Sequence, residues 1–95
     1  MIQAASVDLR KTSQEMKIAQ LKFILTELSA GMTFAAIALV RKGEAQARNR
    51  ARARTAYNSA LHFLDRVTMT REQLDEVRAR LALLKQRLRT LGEGF

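Results

Sequence analysis

Four arginines alternate with small or polar residues in Arg48-Asn49-Arg50-Ala51-Arg52-Ala53-Arg54, the part of the chain best suited to bind something. On a strand they would share one side, but the alanine-rich setting favours a helix. At 100° per residue they then separate into two pairs, Arg48 with Arg52 and Arg50 with Arg54, on either side of an apolar stripe. With Arg41 and Lys42 just before them they form a basic collar at one end of the molecule. Guanidinium groups in such a collar can grip phosphates or carboxylates through two hydrogen bonds each. The same residues serve equally as a solvated helix face, partly paired with Glu44 or with acids on another helix.

Other chemistry is sparse. Arg78, Arg80, Lys85, Arg87 and Arg89 belong to outward positions of a later helix, where Asp75 and Glu76 supply intrahelical partners three and four residues away. His62 is the single histidine. It falls opposite the stripe of its helix with no carboxylate or thiol beside it, so neither a metal site nor a catalytic base is expected. Nor does the chain carry a glycine-rich phosphate loop or a nucleophile spaced to meet a base. The expectation is a protein without catalytic residues, metal or cofactor.

Net charge is +8, from 17 Lys+Arg against 9 Asp+Glu, which favours an acidic partner or serves solubility. Aromatic residues are 5% of the chain, too few for a base-stacking platform, so any nucleic-acid binding would be electrostatic and indifferent to sequence. Cysteine is absent, consistent with a cytoplasmic protein. The opening MIQAASVDLRKT has no basic segment followed by an apolar core and does not resemble a secretory signal. Phe23 to Val40 contains only Glu27 as a charge. Its length is near that of a membrane span, but Glu27, Thr26, Ser29 and Thr33 favour burial in a bundle, and no span is expected.

The elements that position these residues follow from hydrophobic spacing. Proline is absent and glycine numbers four, so helices can run long. A first helix is expected over about Ser13–Lys42, after an arm at 1–12, with Thr12 and Glu15 as a capping box. Its stripe is Leu21, Leu25, Leu28, Met32, Ala35 and Leu39, and a second flank adds Phe23, Ile24, Phe34, Ile37 and Ala38. Two apolar flanks call for two neighbours, or for one neighbour and an interface at Phe23, Phe34 and Ile37. Gly43 ends this helix. A second helix is expected over about Glu44–Arg66 on the stripe Ala53, Tyr57, Ala60, Leu64 and Val67, its early turns projecting past the core. The third has the clearest signals: Thr70 and Gln73 as a capping box, the seam Leu74, Val77, Leu81, Leu84, Leu88 and Leu91, and Gly92 as a stop before a frayed tail, 92–95. The short second loop forces an antiparallel hairpin. The fold class expected is all-α: one domain over 1–95, an antiparallel three-helix bundle with long helices.

Leu28, Gly31 and Phe34, with Ala53-x-x-x-Tyr57-x-x-Ala60, resemble the helical hairpin of the tetratricopeptide repeat. The longer helices and the third helix make residues 28–91 more similar to the microtubule-interacting and trafficking (MIT) domain. The resemblance implies hairpin packing of that kind and a peptide-binding module without catalytic residues. A non-enzymatic protein-interaction or structural role, with self-association as one form of it, is therefore the leading expectation. Nonspecific nucleic-acid binding through the collar at Arg41, Lys42, Arg48, Arg50, Arg52 and Arg54 is the alternative.

Overall fold

A computed structural model describes the backbone of residues 2–95 and the side chains of residues 11–95. Three helices follow one another, α1 (Ile2–Val40), α2 (Gly43–Leu64) and α3 (Arg71–Thr90), with no strand among the described residues. All three pack together, α1 pairing most extensively with α2 and touching α3 as well. The expected all-α three-helix bundle is what forms.

The sequence sets each boundary by a local device. Between α1 and α2 the chain reverses through Arg41 and Lys42 into Gly43, whose φ of +64° is cheap only for glycine. At the start of α3 the Thr70 hydroxyl accepts from the Gln73 amide (3.1 Å), and the Thr70 amide donates to Gln73 Oε1 (2.9 Å), which completes the expected capping box. The end of α3 is a Schellman turn: the Glu93 amide bonds the Leu88 carbonyl and the Gly92 amide that of Arg89, both at 2.9 Å, around Gly92 at φ +94°.

The first helix corrects the expectation at its start. It begins at Ile2 rather than Ser13, so residues 2–12 of the expected arm are helical, and Thr12 lies inside the helix rather than capping it. No glycine or proline interrupts residues 2–12, and a capping pair alone does not stop a helix already running.

Burial also rotates the α1 stripe. The buried line is Ile24, Leu28, Gly31, Ala35 and Ala38, which lies between the two expected flanks. Leu21, Leu25 and Met32 are only partly buried, and Leu39 is exposed. Opposite this line stand Ala53, Ala56, Tyr57 and Ala60 of α2, with Val77, Leu81, Leu84 and Leu88 of α3 closing the core. Each fully buried large side chain among these, such as Leu28 or Leu84, contributes about 1.5–3 kcal/mol.

The early turns of α2 are packed rather than projecting. Asn49 is buried and its side-chain amide donates to the Ala45 carbonyl (2.7 Å). The Gln46 side chain donates to the Ala38 carbonyl (3.0 Å), satisfying one of the carbonyls that the end of α1 leaves without a helical partner. What projects instead is α1. At 1.5 Å per residue its 39 residues span about 58 Å, against about 33 Å for the 22 of α2, and the molecule measures 61 Å along its longest axis. Residues 11–19 are all exposed, including Met16.

Candidate functional site

The arginine run separates into two pairs, and the two pairs meet different surroundings. Arg50 and Arg54 face the segment that follows α3. Arg50 donates to the Leu91 carbonyl (3.1 Å) and Arg54 to that of Gly94 (2.6 Å). The Glu93 carboxylate stands between them, 3.7 Å from Arg50 and 3.9 Å from Arg54. The Phe95 ring lies 4.0 Å from the Arg54 guanidinium, with Lys85 and Arg89 at 5.2 and 5.8 Å and the Tyr57 ring edge-on at 5.2 Å. Residues 92–95 are therefore not a frayed tail. The Schellman turn points them back across α2, where two guanidiniums and an aromatic ring hold them.

Arg48 and Arg52 lie on the other side of α2. Neither meets a carboxylate within salt-bridge distance among the described residues. The Arg52 guanidinium stands 5.7 Å above the Phe34 ring, in cation–π range. Both arginines border a concavity of about 530 Å³ formed with Glu27, Ala30, Phe34, Ala51, Thr55 and Ala56. Arg41 and Lys42 are exposed at the turn between α1 and α2. The six-residue collar is thus divided: two cations are engaged by the chain itself, two line a groove and two stand in solvent.

Phe23, Phe34 and Ile37 do share one face of α1, as 3.6-residue periodicity requires. Phe23 is exposed and meets Phe63 of α2 edge-to-face at 5.3 Å, while Phe34 and Ile37 are half-buried. Each precedes by one residue, or about 100°, a position on the buried line at Ile24, Ala35 and Ala38. The α1–α2 hairpin has two creases. α3 lies along the one beside Ser29 and Met32, where Arg80 and Leu83 leave a concavity of about 410 Å³; the one beside Phe23, Ala30 and Phe34 is lined by α1 and α2 alone and is open. A second concavity, lined by Met16, Ala19, Gln20, Phe23 and Phe63, continues the open crease toward the projecting part of α1.

Lys11–Val40 is one helix long and apolar enough to cross a membrane by length and composition, and 28% of its apolar window is buried in the bundle. His62 is exposed and contacts Arg66 (3.2 Å) and Phe63, as its helical position predicts. Among the described residues no cluster of three metal-binding side chains occurs. The expected intrahelical pairing on α3 is present between Glu76 and Arg80 (2.8 Å).

No protein-family model, curated protein or solved structure matches the chain.

Sequence reasoning missed Glu93 and Phe95. Gly92 carried the signal, since a Schellman glycine reverses the chain and makes the next residues neighbours of the preceding helix. Recognising that Arg50 and Arg54 stand opposite requires knowing how α2 and α3 are rotated against each other, which the stripes specify only to within one residue.

Proposed function

We propose that this protein is a non-enzymatic interaction module that uses the uncovered apolar face of α1 to hold another protein. The observation that carries the reading is the mismatch between α1 and its neighbours. This helix is apolar around most of its circumference, yet α2 and α3 cover one side of it and leave Phe23, Ala30 and Phe34 along an open crease. Exposed apolar surface collected in a concavity marks a contact site more often than scattered exposed residues do. A place for α1 within a bundle, rather than across a bilayer, is supported by the full burial of Ile24, Leu28, Ala35 and Ala38 against the other helices and by Glu27 midway along the apolar stretch.

The reading is tested by placing a photo-crosslinking amino acid at Phe23, Phe34 or Arg78 in the source cells. Discrete protein adducts are expected from the two α1 positions and none from Arg78 on the outer face of α3. The absence of protein adducts from every α1 position would overturn it.

A further inference from the structure

The open crease differs from the one walled by Arg80 and Leu83 of α3 in charge as well as in the helices that line it. Its floor is small and apolar, made by Ala30 and Ala56 with the Phe34 ring as one wall, while the exposed Ala51 lies on the outer side of the arginines. Arg48 and Arg52, four residues apart, stand one turn from each other along the α2 rim. Their counterparts Arg50 and Arg54, on the same helix, already hold a carboxylate and two carbonyls of residues 91–94. On the opposite rim the only charge lining the groove is Glu27. The crease thus offers an apolar floor, a cationic α2 edge and a single acidic residue on the α1 edge.

We infer that this crease accepts one amphipathic helix from a partner, lying as a fourth helix of the bundle, with carboxylates four residues apart along the edge that faces Arg48 and Arg52. The inference rests on the interaction-module reading and names the partner's chemistry. Small residues on the floor let a helix backbone approach closely, as ridge-into-groove packing requires. From Met16 to Phe34 the α1 wall is about 27 Å long, enough for a partner helix of about 18 residues. Guanidiniums spaced i, i+4 on α2 present their charges about 6 Å apart along the axis, the spacing of carboxylates at i and i+4 on a neighbouring helix. Charge argues against a second copy as the occupant. The exposed part of α1 at residues 11–22 carries Lys11, Lys17 and Lys22 against Glu15, and each copy bears +8.

The test uses the full chain, labelled with ¹⁵N, and two synthetic peptides of about 18 residues. Both carry leucine on one face and glutamine along one edge; the second edge is glutamate at i, i+4 spacing in one peptide and lysine in the other. The glutamate peptide is expected to bind and to shift amides at Ala30, Phe34, Ala51 and Thr55, with the lysine peptide at least about tenfold weaker. Arg48→Gln with Arg52→Gln, both exposed and safe for folding, should weaken the glutamate peptide about fivefold. Phe34→Ala should weaken both peptides alike.

Equal binding of the two peptides, insensitivity to the arginine pair, or shifts confined to α3 would each overturn the inference. So would sedimentation of the wild type as a dimer that Phe34→Glu dissociates, which would assign the crease to a second copy. Burial of Phe34 in phosphatidylglycerol vesicles would assign it to lipid. Protein crosslinks from Phe23 together with failure of the glutamate peptide would preserve the interaction-module reading and sink this one alone.

Discussion

A Cβ on Gly31 would stand 2.7 Å from the Leu84 Cδ2 atom, closer than carbon atoms tolerate, and 3.1 Å from the Ala56 methyl. Gly31 lies where α1, α2 and α3 meet, and its missing side chain sets how closely the three approach. Leu84 is fully buried, so its methyl can move only by displacing its core neighbours or into an internal gap, and Ala56 is fixed to the α2 backbone. Gly31→Ala gains about 1 kcal/mol of helix propensity. Overpacking a filled core costs about 1–3 kcal/mol. A net loss of about 1 kcal/mol is therefore expected in urea denaturation. Because the clash and the leucine are coupled, Gly31→Ala with Leu84→Ala should lose less than the two single losses added together.

Leu84→Asp tests the α3 seam directly. It places a carboxylate in a core where no cation or polar partner is positioned to receive it, at a cost of several kcal/mol. Cooperative thermal unfolding followed by circular dichroism should disappear. An unaltered melt would mean that the Val77, Leu81, Leu84 and Leu88 line does not close the core.

Arg52 and Arg54 should behave oppositely although they sit two residues apart. Arg54→Ala removes the hydrogen bond to Gly94, the approach to Glu93 and the stacking on Phe95, and should cost about 1–2 kcal/mol. Arg52→Ala removes one distant cation–π contact and should stay within about 0.5 kcal/mol. Chemical denaturation of both variants decides between a clamped and a free segment after α3: equal losses would contradict the clamp.

Much of this architecture is legible from residue spacing. The α3 seam, its capping box at Thr70 and Gln73, the Gly92 stop and the division of four arginines into two pairs all depend on a single helix, whose period is known. The features that spacing does not reveal depend on relations between helices. Whether Leu39 or Ala38 is buried turns on a rotation of 100°, and that rotation is set by Gly31 fitting against Ala56 and Leu84. Asn49 and Gln46 look solvent-exposed in a list of polar residues, yet each finds a carbonyl acceptor, Ala45 in its own helix and Ala38 across the α1–α2 turn. The start of α1 differs from its capping signal for a simpler reason: a capping pair marks where a helix can begin, and nothing upstream obliges it to.

Phe34→Glu separates groove from core. Phe34 is half-buried with its ring on the open crease, and Arg52 is close enough to meet a carboxylate there. The variant should remain folded and cooperative, losing about 1–2 kcal/mol of apolar burial. Loss of all helical signal would place Phe34 inside the core.

For nucleic acid, the divided collar leaves Arg41, Lys42, Arg48 and Arg52 available and holds Arg50 and Arg54 against residues 91–94. Titration of fluorescent duplex and single-stranded DNA at about 50 mM salt should detect no complex. If one forms, Arg48→Gln with Arg52→Gln should lower the slope of log affinity against log salt by about two, whatever the DNA sequence.

The projection of α1 beyond its neighbours also divides one continuous helix into two regimes of backbone protection. Amides of residues 28–38 can exchange with solvent hydrogen only when the bundle itself opens, because the surrounding side chains hold that stretch in place. Amides of residues 13–18 share the same hydrogen-bond ladder but carry exposed side chains, so local fraying suffices to release them. Exchange rates should therefore fall by orders of magnitude between those two stretches of one unbroken helix, the step lying near Gln20, the first shielded side chain among the described residues.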